Sequence, residues 1–164
     1  MQRIQTHFEK TLHRYAHIYK LIGVIELTLR ERIPVTLSSN RETKAPWFQE
    51  FLFDLPRKRI IEIAISRNGG MVKGVENYIP LSFWARMYFA HGYKQLWKKK
   101  LHKTMPNFLQ TSSLTQPAHI ARLMRELVVI RNRVAHYEPS SANRYKKDKE
   151  VLRTIMSALG VKAD

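Results

Sequence analysis

The sequence predicts an all-α fold in a single domain spanning residues 1–164, and three observations carry that expectation. Apolar residues recur at helical spacing through each long segment. Proline and glycine punctuate these segments, and no strand alternation runs through them. The run Ile60-Ile61-Glu62-Ile63-Ala64-Ile65 has strand propensity, but no partner strand is visible elsewhere. Helices packed around one core are the economical architecture for such a pattern.

The first helix is expected over residues 7–33. Phe8, Leu12, Tyr15, Tyr19, Ile22, Leu29 and Ile33 share one stripe, with Glu26 and Arg30 as an i, i+4 pair inside it. Pro34 is expected to end this helix, because it offers no N–H and crowds the preceding turn. Residues 38–46 read as a polar loop, and residues 47–53 as a turn or two of helix. Pro56 suits the first position of a helix over 56–67, which Asn68-Gly69-Gly70 closes. Pro80 opens a helix running to Trp97, followed by Lys98-Lys99-Lys100, cations that complement a helix C-terminus. After a loop with Pro106 and Thr111-Ser112-Ser113, the next helix covers about 116–136. Residues 139–143 interrupt the pattern, and a last helix covers 145–159 before Gly160.

Composition narrows the function classes. The 164 residues include 29 Lys+Arg against 13 Asp+Glu, a formal charge of +16, with 44% hydrophobic and 10% aromatic residues. That is the balance of a packed globule rather than a disordered chain, so the charge belongs to a folded surface. A surface so basic attracts polyanions, of which RNA, DNA and acidic proteins are the common ones. Zero cysteines exclude disulfides, thiolate metal sites and a cysteine nucleophile. No apolar run approaches the roughly 18–20 residues that span a bilayer, and the N-terminus lacks a signal-peptide core. A soluble, cytoplasmic protein without membrane attachment is expected.

The segment Leu127 to Tyr137 is where chemistry concentrates. Leu123, Met124, Leu127, Ile130, Val134 and Tyr137 cluster on one face, with Arg131 near its middle. A guanidinium there is costly unless it is paired or meets a ligand, since it cannot shed its charge. Asn132 and His136, an i, i+4 pair, share a second side with Arg125 and Val129. An ideal helix sets Arg131 and His136 about 140° apart. A reaching arginine, a distorted helix near Ala135, or a site shared by two chains would each reconcile them.

Arg131-Asn132-Arg133-Val134-Ala135-His136 has the R-N-x-x-x-H form of the R-x4-H motif of HEPN-domain ribonucleases, and the chain resembles the Abi-like (abortive phage infection) branch of that superfamily. Glu26-Leu27-Thr28-Leu29-Arg30 is similar to that branch's E-hydrophobic-x-L-R signature. Ile79-Pro80-Leu81-Ser82-Phe83-Trp84, leading to His91-Gly92, looks like its Leu/Pro–Trp segment before Phe-Gly. The segments cover nearly the full length in the expected order. His91 stands where the branch has phenylalanine, and Tyr137-Glu138-Pro139 replaces its polar continuation.

The resemblance implies a HEPN-like helical bundle, acting as a homodimer that cleaves RNA without a metal or other cofactor. A base takes the ribose 2′-OH proton, the oxygen attacks the adjacent phosphorus, and a 2′,3′-cyclic phosphate and a 5′-hydroxyl result. Histidine suits the proton transfers because its unperturbed pKa of about 6.5 lies near working pH. Arginine suits the phosphorane because its fork binds two oxygens and stays charged. On this resemblance His136 and Arg131 are catalytic, and Asn132 holds a phosphate or orients His136. Glu26 and Arg30 support them, with Glu26 a partner for Arg131. Two motif helices meeting across the homodimer would answer the 140° separation. The branch further implies a toxin or abortive-infection effector restrained by a cognate antitoxin, protein or RNA. Arg125 and Arg133 flank the proposed cleft and are expected to touch the RNA backbone.

Each feature also has a plainer reading. Arg131 with Glu26 could be a buried ion pair fixing register, and His136 a helix-end cap. His13 and His17, one turn after Glu9, have zinc-compatible spacing but no further ligand cluster. Trp84, Met87, Tyr88 and Trp97 could stack bases, yet at helical spacing they read as core. Lys98–Lys100 and Lys146-Lys147 read as solvated faces. A non-catalytic HEPN-type module binding RNA or protein is the rival reading. A DNA-binding helical protein is a third, and no helix carries a base-reading polar face to support it.

Overall fold

The computed structural model describes residues 2–38, 46–49, 51, 53–108 and 117–162, with side chains from residue 8 onward except 91 and 117. Among these residues the architecture is all-helical: α1 (Gln2–Leu37), α2 (Leu55–Arg67), α3 (Leu81–Met87), α4 (Lys94–Thr104), α5 (Pro117–Ala135) and α6 (Ala142–Leu159). Short 3-10 turns at Val75–Tyr78 and His91–Tyr93 join the middle elements. The expected loop residues 39–45 and 109–116, including Thr111-Ser112-Ser113, lie outside the described residues.

α1 is the spine. Ile18, Leu21, Ile22, Ile25, Leu29, Ile33 and Leu37 bury one stripe of it in a core shared with all the other helices. The expected stop at Pro34 is corrected, because the helix runs one more turn to Leu37. A proline inside a helix costs about 3 kcal/mol. Against that, Ile33 and Leu37 are fully buried, and burying one such side chain stabilises by roughly 1.5–3 kcal/mol. Two cations brace this end: Lys100 Nζ donates to the Thr36 carbonyl at 3.0 Å, and Arg32 Nη1 donates to the carbonyls of Leu159 at 2.5 Å and Thr104 at 3.2 Å. Arg32 thus joins the C-termini of α4 and α6, where partial negative charge collects. Lys100 serves the end of α1, while Lys98 and Lys99 are exposed.

The run 60–65 is helical, within α2. Asp54 caps its first turn by accepting from Arg57 N at 3.0 Å, and Gly69 and Gly70 follow at positive φ. The helix expected from Pro80 to Trp97 is also corrected, since it breaks after Met87 and resumes at Lys94. The break lets two rings point different ways. Tyr93 stacks on Phe51 at 5.4 Å, whereas Trp97 stacks on Tyr88 at 4.3 Å and donates Nε1 to the Met87 carbonyl at 2.8 Å. Trp97 therefore satisfies a carbonyl that the end of α3 would leave orphaned. Trp84, Met87, Tyr88 and Trp97 are all core. Residues 47–49 form a turn, and Trp47 packs against Phe53, Phe83 and Trp84. α6 begins earlier than expected, because Ser141 accepts from Arg144 N at 3.2 Å and caps it.

Candidate active site

α5 carries the site, and its buried face turns along its length. In its first half Ile120, Met124 and Leu127 are buried; in its last turns Ile130, Arg133 and Val134 are. At 100° per residue the centre of burial moves by about 95° between the two halves, enough to exchange which arginine faces inward. The expectation that Arg131 sits inside the apolar face is therefore corrected: Arg131 is exposed and Arg133 is buried.

Arg133, expected to touch RNA, instead reaches across to α6. Its Nη2 donates to Asp148 Oδ1 at 3.3 Å, and Arg144 Nε lies 3.5 Å from the same oxygen. Burial pushes the Asp148 carboxyl above the usual aspartate range, with Arg133 and Arg144 pulling it back and Glu126 adding to the rise. Tyr15 of α1 lies within electrostatic reach of Arg133 and Asp148, its hydroxyl buried without a hydrogen-bond partner among the described residues, as is Arg133 Nε. Burial likewise raises the Tyr15 pKa. Such a pair locks the register of α5 on α6.

The expected link between Glu26 and Arg131 is not formed. Glu26 Oε1 accepts from Arg30 Nη2 at 2.5 Å, while Arg131 Nη1 lies 3.4 Å from Asn132 Oδ1. Glu26 sits eleven residues beyond Tyr15 on α1, about 16 Å along the axis. Tyr15 is the residue that meets the motif's end, its ring edge-on to Tyr137 at 6.2 Å.

His136 closes the helix. Its N–H donates to the Asn132 carbonyl at 3.0 Å, and its exposed imidazole has no hydrogen-bond partner among the described residues. The chain then reverses: Tyr137 N donates to the Val134 carbonyl at 3.2 Å and Glu138 N to the Arg133 carbonyl at 3.1 Å. This double closure requires a left-handed residue, and Tyr137 adopts φ 52 where glycine is usual. Pro139 follows, as after many such stops.

Around this end the surface is mixed. Arg125, Val129, Asn132 and His136 form one exposed row, with the Arg125 guanidinium 5.0 Å over the Phe89 ring. Beside His136 an open groove of about 730 Å³ runs between α1 and α5, lined by Leu12, Tyr19, Val134, Ala135 and Tyr137. Of the paired histidines on α1, His13 is exposed and His17 Nδ1 is 2.5 Å from the Tyr145 hydroxyl. Sequence reasoning missed Tyr15 and Asp148 as neighbours of the motif. Nothing in the spacing links Asp148 to Arg133, fifteen residues earlier. Tyr137 had a signal, the Pro139 just beyond the helix. The chain matches no family model, no curated protein and no solved structure.

Proposed function

We propose that the chain is a metal-independent endoribonuclease, a toxin or abortive-infection effector, with Arg131, Asn132 and His136 as its working side chains. One observation carries the reading. These three polar residues are exposed together at the end of α5, and none is bound to a residue of another element among the described residues. Their neighbour Arg133, by contrast, is buried and paired with Asp148 of α6. His136 takes the 2′-OH proton, the freed oxygen attacks phosphorus, the P–O5′ bond breaks, and the 5′ oxygen leaves with a proton from water while His136 returns its own to solvent. Arg131 neutralises the charge that builds on the phosphorane. Asn132 holds a phosphate oxygen, and Arg125 adds a backbone contact.

A formal charge of +16 supports recruitment of RNA and of an acidic or RNA antitoxin. A homodimer supplies His136 of one copy opposite Arg131 of the other. Cleavage of labelled RNA in EDTA tests the chemistry. Wild type cuts without metal, and a 2′-deoxy nucleotide at the cut site blocks that cut. Cutting of the 2′-deoxy strand, or loss of all cutting with EDTA, overturns the mechanism.

A second reading, a non-catalytic RNA- or protein-binding module, draws on one observation. On a single regular α5, Arg131 and His136 stand about 140° apart and do not aim at one atom. Binding of uncut RNA by wild type, with no new ends, favours this reading.

A further inference from the structure

The last helix presents a cationic row that the candidate active site does not use. Lys146, Lys149 and Arg153 follow one another on the same side of α6, about 10 Å from first to last along its axis. They line a recess that continues, through Arg153 and Ser157, into a groove between α6 and α1 where Lys20 and Lys162 add charge. Glu150 is the one carboxylate among the residues lining the two. The groove lies on a different side of α1 from the motif. His17, which lines it, stands about 160° around the helix from Tyr15 and from Tyr19.

We infer that this groove between α1 and α6 binds the phosphodiester backbone of a nucleic-acid strand, as an anchoring surface separate from the residues of the R-x4-H motif. Three features favour a strand over other polyanions. The cations form a line rather than a cluster, which suits successive phosphates. The His17 and Tyr145 rings stand beside that line, 5.9 Å apart, with Lys149 Nζ 5.4 Å over the Tyr145 ring, so aromatic groups and basic track are interleaved as in single-strand binders. The large exposed apolar side chains of the molecule lie elsewhere, so the groove lacks the apolar anchors of a membrane-binding face.

The electrostatics of His17 agree with an anion site. Burial lowers its pKa first, and Lys149, Arg153, His13 and Lys20 lower it further, all without an opposing carboxylate. Tyr145, the other titratable group against the ring, contributes its hydroxyl at 2.5 Å. A bound phosphate reverses that field and lets the imidazole take up a proton.

The test reads binding, so it stands whether or not the protein cuts RNA. His136→Ala protein keeps the strand intact, and an oligouridine and the matching oligodeoxythymidine serve as probes over a salt series. Lys149→Glu/Arg153→Glu is compared with Lys98→Glu/Lys99→Glu, which changes net charge equally at exposed lysines on α4. The groove variant is expected to lose at least about tenfold in affinity, and to lower the salt slope by about 1.4 for two single-strand phosphate contacts. The α4 variant changes far less, and the His17 titration moves up when oligonucleotide is added to the unaltered groove. Lys149→Gln/Arg153→Gln repeats the measurement should the charge reversals unfold the chain. Equal losses in both variants would mean that only summed charge matters and would overturn the inference. So would binding to phosphatidylserine vesicles without affinity for either oligonucleotide. Equal binding of the two oligonucleotides means a site that reads the shared backbone, whereas preference for the oligouridine means that ribose 2′-OH groups are read as well.

Discussion

Arg131 and Arg133 stand two residues apart on α5 and have opposite fates. Arg133 is buried and held by Asp148. Arg131 lies in solvent with only Asn132 beside it, one turn from an unengaged His136. The contrast separates two roles that the sequence places side by side. One flank of the last turns holds the helix in register, which frees the other flank to carry polar groups with no structural duty. A guanidinium that stabilises the fold and one that, on the proposed function, is left for an anion are distinguished by what surrounds them, not by their position in a motif.

The largest effect expected from disturbing this contrast falls on its buried side. Asp148→Ala leaves Arg133 charged and uncompensated, and should destabilise the fold by about 3 kcal/mol, read from urea unfolding. Arg131→Ala in the same assay should stay within about 0.5 kcal/mol of wild type, as surface changes do. Equal losses in the two variants would erase the distinction. The smaller effect sits at the turn after His136. Tyr137→Ala keeps the left-handed strain and loses the edge contact with Tyr15, whereas Tyr137→Gly loses the same contact but relieves the strain. The glycine variant should therefore exceed the alanine variant by about 1 kcal/mol in unfolding free energy. Identical midpoints would mean that φ 52 at this position carries no cost.

The sequence made the helices legible because their stripes are local. The Asn68-Gly69-Gly70 stop and the Gly160 cap were readable from neighbours within a few residues. Of the expected α1 stripe Tyr15, Ile22, Leu29 and Ile33 are buried, whereas Phe8, Leu12 and Tyr19 are exposed because nothing packs over their side of the helix among the described residues. Errors arose where tertiary contacts overrode local rules. Pro34 is carried through because Ile33 and Leu37 are buried, and the break near Gly92 serves two rings with different partners. The candidate site shows the same limit. Periodicity averaged over all of α5 put Arg131 inward, but burial follows the helices packed around it, α1, α3, α4 and α6. Pairings such as Arg133 with Asp148, or Arg32 with the ends of α4 and α6, join residues whose distance in sequence gives no cue.

End-group analysis of RNA treated in EDTA with wild type, His136→Ala and Arg131→Ala, at matched thermal stability, addresses the nuclease chemistry most directly. Wild type should leave 2′,3′-cyclic phosphates, and each variant should lose at least a hundredfold in their rate of formation. Cyclic ends appearing at an undiminished rate from either folded variant would contradict the assignment.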